Sequence, residues 1–191
     1  MTETTPRERH DESLVADVSP LEDPVPDLPP RSPRSMIALG VALGLPLAAG
    51  IIGARATRSS VRTWYPTLRK PSFNPPGWVF GPVWTALYLL MGVAMHLVWS
   101  ASGRSAGRGR AVWLWVTQLG LNLLWSLIFF GRRSVAAAFV EILVLWVAIA
   151  ATIREFAVRR PLAAALMLPY LGWTTFAAVL NGSLWRLNRE R

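Results

Sequence analysis

Apolar residues run along this chain in long blocks, not in alternation with polar ones. Five such blocks, about 36–56, 77–101, 111–130, 134–158 and 161–187, are separated by short polar stretches. Each is near or above the roughly 20 residues that a helix needs to cross a hydrocarbon core of about 30 Å. The pattern predicts an all-α membrane protein, a bundle of five transmembrane helices with its termini on opposite sides. No internal repeat is visible, and five is an odd number for an inverted-repeat carrier, which argues against conventional alternating access. The connections are too short for further domains, and only the 57–76 loop is long enough to fold over something.

Composition agrees with this reading. The 191 residues are 52% hydrophobic and only 16% charged, against roughly a quarter charged in soluble domains. Residues 1–35 hold eight acids against four arginines and hardly an aromatic. Such a segment cannot bury enough surface to offset the entropy of ordering. The chain therefore divides into a disordered, acidic, Pro-rich tail, 1–35, and a membrane domain, 36–188. The tail is too acidic and too long before its first apolar block for a signal peptide. The other sixteen Lys and Arg residues face only Glu141, Glu155 and Glu190. They sit in the connections, so they read as a topology signal and not as a nucleic-acid surface. Divided between the two membrane faces they are nearly even, with a slight bias toward an outside N-terminus. The absence of cysteine excludes disulfides, thiolate metal ligation and thiol nucleophiles.

The candidate chemistry is aromatic. KPSFNPPGWVFGPVWTALY, from Lys70 to Tyr88, packs four prolines and two tryptophans into the entrance of the second block. Asn74 is placed to cap a helix there, and Pro75 and Pro76 suit first-turn positions. Pro82 should loosen the helix just inside, because it has no N–H for the carbonyl of Trp78. The segment reads as a proline-stiffened lid, with Trp64, Pro71, Phe73, Pro75 and Pro76 as its rigid members. An interfacial aromatic belt explains Trp64, Trp78, Trp99, Trp113 and Trp185 at block ends. It does not explain Trp125, Trp146 and Trp173 near the middle of theirs, nor Trp84 about 10 Å inside its own at 1.5 Å per residue. An indole N–H at that depth needs an acceptor.

Helical spacing groups these rings with polar and small residues. Gly81, Trp84, Tyr88, Met91 and Met95 share one face of the second block. Gln118, Asn122, Trp125 and Phe129 share one of the third, and Trp173, Ala177, Leu180 and Asn181 one of the fifth, a turn after Pro169. The amides serve either to join helices or to line a flat, apolar, hydrogen-bonding cavity. No catalytic constellation accompanies them. Glu155 has Arg154, Arg159 and Arg160 around it and reads as an interface residue. Glu141 lies deeper and is a candidate for a proton or hydrogen-bond role. His96, near a block end, reads as polar packing, with axial haem ligation as the alternative. Gly40 and Gly44 form a GxxxG match that permits close helix approach.

Three segments carry a resemblance: WYPTLRKPSFNPPGWVFGPVWTALYLLMG (64–92), QLGLNLLWSLIFFGRR (118–133) and LPYLGWTTFAAVLNGSLWRLN (168–188). In them the chain resembles the TspO/MBR proteins, the tryptophan-rich sensory proteins of bacteria and the translocator protein, or peripheral-type benzodiazepine receptor, of mitochondria. The resemblance spans 36–188 and leaves out the tail. It implies a five-helix bundle, commonly a homodimer, in the bacterial cell membrane. It further implies a pocket beneath the first loop that takes tetrapyrroles such as protoporphyrin IX or haem as ligands, with no cofactor required and no metal held. Carried over by motif, the ligand-binding positions are Trp84, Tyr88, Gln118, Asn122, Trp125, Trp173, Phe176, Ala177 and Leu180. The implied role is a receptor or sensor acting on porphyrin transport or stress response. Light-dependent porphyrin degradation and sterol or lipid transport are the alternatives. Animal members carry a C-terminal sterol pattern with a tyrosine. The matching VLNGSLWR (179–186) has Gly182 in its place, which argues against a sterol at that position.

Overall fold

The computed structural model describes Met1, residues 33–101 and residues 108–190. The acidic tail expected over 1–35 therefore lies outside the described residues, apart from Met1 and its last three positions. Five helices are long and apolar enough to cross a membrane. They are α1 (Pro33–Thr63), α2 (Gly77–Trp99), α3 (Arg108–Ser126), α4 (Val135–Arg159) and α5 (Pro161–Asn188). The protein is an integral, multi-pass membrane protein, with no strand among the described residues.

Two boundaries differ from expectation. The first helix does not stop at residue 56 but continues to Thr63. Its last two turns are polar, so hydropathy ends the span early, yet nothing in Arg55–Thr63 breaks a helix. Thr57 and Thr63 return their hydroxyls to the carbonyls of Gly53 and Ser59, at 2.7 and 3.0 Å. The first connection is accordingly 64–76, opened by a 3-10 turn at Tyr65–Thr67. At its far end α2 begins at Gly77 with Pro76 as the residue before it, and no side chain caps it. Asn74 is not the cap, and Pro75 and Pro76 precede the first turn. The Asn74 amide instead accepts from the Tyr65 hydroxyl at 2.7 Å and donates to the Pro75 carbonyl at 3.0 Å.

At its C-terminal end α3 passes into a π-helical turn, Leu127–Gly131. Phe129 and Phe130 pack edge to face there, 4.7 Å between centroids. Arg133 follows with φ 54° and turns the chain into α4. Helix α4 packs on α3 and α5, and α1 chiefly on α2. The α1–α2 crossing is close because Gly92 has no side chain: a Cβ there would come within 2.7 Å of the Ala42 carbonyl oxygen. Pro46 cannot donate to that carbonyl, so the same proline that interrupts α1 leaves the oxygen facing α2. Gly40 and Gly44, by contrast, have nothing among the described residues within 4 Å of a Cβ position beyond their own helix, so their pair does not join α1 to the rest of the described bundle. On the far face, Glu155 joins α3 to α4, accepting from Arg159 at 2.8 Å and pairing with Arg110 at 3.3 Å.

Candidate ligand cavity

A single connected cavity of about 960 Å³ lies between α1, α2, α3 and α5 under the 64–76 connection. That is near the upper end of the roughly 300–1,000 Å³ usual for small-molecule sites. None of the residues of α4 lines it. Its walls are rings: Phe80 and Trp84 from α2, Trp125 and Phe129 from α3 and its π turn, Trp173 and Phe176 from α5. These rings brace one another. Trp84 stacks on Tyr88 at 5.5 Å, Trp125 on Phe129 at 5.2 Å, and Phe80 meets Trp173 edge to face at 5.9 Å.

The floor is polar, and its groups bond to one another across helices. Tyr88 donates to the Asn122 carbonyl oxygen at 2.9 Å, and the Asn122 amide donates to the Tyr170 hydroxyl at 3.1 Å. One buried side chain thus ties α2, α3 and α5 together. A second amide ties α3, α4 and α5 nearer the loop: Trp125 donates to Asn181 at 3.1 Å, and Asn181 donates to the Val135 carbonyl at 2.8 Å. Both roles open to these amides are met at once: Asn122 and Asn181 join helices and also line the cavity. The Trp84 and Trp173 indoles, which also border the cavity, have no hydrogen-bond partner among the described residues.

Of the positions named from sequence, Trp84, Tyr88, Asn122, Trp125, Trp173, Phe176, Ala177 and Leu180 are brought to this one cavity, with Pro75 and Pro76 at its rim. Gln118 is not. It is fully buried a turn below Asn122 and donates to the Trp115 carbonyl at 3.0 Å and the Met91 sulfur at 3.6 Å. Met91 and Met95 likewise belong to the packed core. Trp64, Pro71 and Phe73 do not line the cavity either. Trp64 packs on Phe129 from outside, and Phe73 on Phe176 at 6.4 Å. His96 is remote, beside Ser100 at 3.4 Å. Trp146 also lies outside, donating to Thr175 at 2.8 Å.

Sequence reasoning missed the contribution of α1, which lines the cavity with Gly50, Gly53, Ala54 and Thr57 and continues along it to Arg58 and Arg62. The signal was present as small residues at steps of three and four, but small residues in an apolar block also read as ordinary span. The connection above is fixed more firmly than its prolines alone require. Arg69 and Asn188 exchange two hydrogen bonds, each 3.0 Å, that pin it to the end of α5. Burial pushes the Tyr65 hydroxyl above its ordinary 10.0, so it remains a donor to Asn74 at neutral pH. Gly182, where the sterol pattern has tyrosine, offers no room: a Cβ would lie 2.9 Å from the Phe139 ring.

A membrane bundle with a ring-lined internal cavity is the class that the fold defines. The chain belongs to the TspO/MBR family, whose model matches residues 42–186. It is 43% identical to the tryptophan-rich protein TspO of Archaeoglobus fulgidus over 142 residues, 74% of this chain and 91% of that one. It is 39% identical to the human translocator protein over 161 residues, 84% of this chain and 92% of the relative. The tryptophan-rich sensory protein of Cereibacter sphaeroides is also 39% identical, over 142 residues covering 73% of this chain and 87% of the relative.

Proposed function

We propose that this protein is a membrane receptor or sensor of the bacterial cell membrane that binds a flat, apolar tetrapyrrole in the cavity beneath the 64–76 connection. The observation that carries the reading is the lining: aromatic rings from α2, from α3 with its π turn and from α5 around about 960 Å³, with the polar floor hydrogen-bonded internally. Such a cavity offers stacking faces and excludes a ligand that needs many buried donors. The names of the relatives, a sensory protein and a translocator protein, agree with sensing or transport. His96 is absent from the cavity lining and lies beside Ser100, which favours recognition by ring contact over axial ligation.

The test is a titration of the purified protein in non-ionic detergent with protoporphyrin IX and with haem, followed in the dark by tryptophan quenching. Saturable quenching of similar strength by both supports the reading. Binding of haem alone, lost in His96→Ala, would replace it with a ligation site. The unpartnered indoles of Trp84 and Trp173 favour one second reading, light-driven porphyrin oxidation with an indole as the neighbouring oxidisable group. Under it, Trp173→Phe would slow photobleaching of the bound porphyrin far more than it weakens binding.

A further inference from the structure

Behind the floor of the cavity lies a second set of buried polar side chains, on α3, α4 and α5. Glu141 of α4 is 8% exposed, and neither of its carboxyl oxygens has a partner among the described residues. Thr174 of α5 and Gln118 of α3 are fully buried and leave their side-chain oxygens unbonded in the same way. Tyr170 accepts from Asn122, and its own hydroxyl hydrogen goes to no acceptor among the described residues. None of these four residues lines the cavity.

Helix pairing brings Glu141 to the level of the others. Antiparallel α4 and α5 are held in register by two hydrogen bonds, Asn181 to the Val135 carbonyl and Trp146 to Thr175. Glu141 lies between Val135 and Trp146, so it faces the stretch of α5 between Thr175 and Asn181 and comes within about a turn of Thr174. On the other side Arg110 of α3 pairs with Glu155 of α4. Fourteen residues along each helix from that pair are Leu124 and Glu141, which puts Glu141 within a turn of the level of Asn122. A charge on its carboxyl would act on the Tyr170 hydroxyl. Ala138, a turn before it, and Ala178, opposite, are both small, so neither position fills the space beside the carboxyl.

No cation stands in this layer. The groups that α3 and α5 turn toward it are Gln118, Asn122, Tyr170 and Thr174, with Tyr88 of α2 beyond Asn122. The nearest charges along the chain, Arg133 and Arg154, are eight and thirteen residues away, and Arg110 and Arg186 sit toward the ends of α3 and α5. An ionised carboxylate would have nothing here to offset its desolvation. The unspent groups also do not pair off among themselves, whereas a water molecule gives two hydrogen bonds and accepts two, and buried waters typically serve about three such groups.

We infer that Glu141 is a proton-binding site in the core of the membrane domain: its carboxyl carries a proton and, with Thr174 and Tyr170, holds ordered water between α3, α4 and α5, apart from the ligand cavity and divided from it by Asn122. Exchange breaks only the carboxyl O–H bond, and the water oxygen receives the proton. The site does not depend on what the cavity binds, and it gives a reason for keeping an acid that costs the fold stability.

Infrared absorption of the full chain in lipid bilayers at pH 6 tests this with no ligand present. Exposed carboxylates, with ordinary values of about 4, are ionised there, so a carboxylic-acid C=O band reports a buried, protonated acid. Wild type should show one such band, Glu141→Gln should lose it, and Glu155→Gln should keep it. Transfer to D2O should shift it, because water reaches the acid. Thr174→Val removes a partner of that water and should move the band to higher frequency, toward an unbonded acid, while Thr174→Ser restores it. Melting curves check each fold, and the D2O shift of wild type decides the matter if Thr174→Val does not fold. Absence of the band at pH 6 would mean an ionised carboxyl, and a band that D2O leaves unmoved would mean a dry one. Either result overturns the inference. Protoporphyrin IX should bind Glu141→Gln as it binds wild type, and a tenfold weaker affinity would make the carboxyl part of the ligand cavity and overturn the separate site.

Discussion

Helices α1 and α4 are similar in length and hydrophobicity and are put to opposite uses. The inner stripe of α4 is Ala138, Glu141, Ile142, Leu145, Ile149, Thr152 and Phe156, mostly large side chains that fill the space against α3 and α5. The buried positions of α1 are Ala42, Pro46, Gly53, Thr57 and Ser60, all small or short. One helix fills and the other encloses. The cavity exists where the inner face of α1 lacks the volume to reach the rings opposite. The lesson is that hydropathy reports a span, whereas side-chain size along its inward face reports whether the span closes a core or leaves room for a ligand.

The sharpest way to break this contrast is at the seam that holds α1 in place. Gly92→Leu should be the most damaging change, because the new side chain meets the backbone of Ala42 and Leu43 as well as the Leu43 side chain, and the backbone cannot swing aside. Overpacking of this kind costs about 3 kcal/mol or more, and the variant should elute as aggregate in size exclusion. Survival as a normally folded binder would mean that α1 need not sit close to α2.

Asn122 stands at the boundary between the filled and the open halves. Asn122→Leu keeps volume but strands the Tyr88 and Tyr170 hydroxyls, each at about 1–3 kcal/mol. Thermal unfolding should show a melting temperature several degrees lower, at about 2–4 °C per kcal/mol for a chain of this size. A melting temperature unchanged while porphyrin affinity falls would make the amide a ligand group and not a tie between helices.

On the filled side, Glu141 is buried and neither of its oxygens has a partner among the described residues. An unpaired acid in such a place is a cost to the fold. Glu141→Leu should therefore raise the melting temperature by a few degrees, equivalent to about 1 kcal/mol, and leave ligand affinity alone. A fall in affinity would bring α4 into the site. On the open side, the connection should act on kinetics. Replacing Pro71, Pro75 and Pro76 together by alanine multiplies the conformations the segment must lose, so release, read by stopped-flow recovery of tryptophan emission, should speed up by a few fold. The effect is the smallest of the set because Asn188 and Tyr65 still hold the segment.

Much of this architecture is legible in the sequence, for reasons that particular residues show. The spans beginning at Gly77, Val135 and Pro161 are marked by proline-rich or charged breaks, and there pattern and structure agree within a residue or two. The faces of α2, α3 and α5 carry tryptophans too deep for a membrane interface, which singles them out. What stays hidden depends on contacts rather than on composition. Gln118 and Asn122 share a face, yet one turn of depth sends the first beneath the floor against Met91 and the second into the wall. Tyr170 gives no sign in sequence that it completes the bond across α3. The last two turns of α1 read as loop because polarity ends a span, although it does not end a helix. That misplacement hid Arg58 and Arg62 as a rigid rim.

If the cavity is the binding site, the ligand enters the space that α1 encloses and does not sit on the face that α4 presents. Ala177 borders that space and Val147 of α4 is 61% exposed on the outside of the bundle. Protoporphyrin IX is titrated into wild type, Ala177→Phe and Val147→Phe, with the shift of the porphyrin absorption band as readout so that tryptophan emission plays no part. The added ring at 177 should occupy the cavity and weaken binding at least tenfold, about 1.4 kcal/mol, while Val147→Phe binds as wild type does. Undiminished binding to Ala177→Phe, with loss in Val147→Phe, would contradict the account and move the site to the outer face of α4.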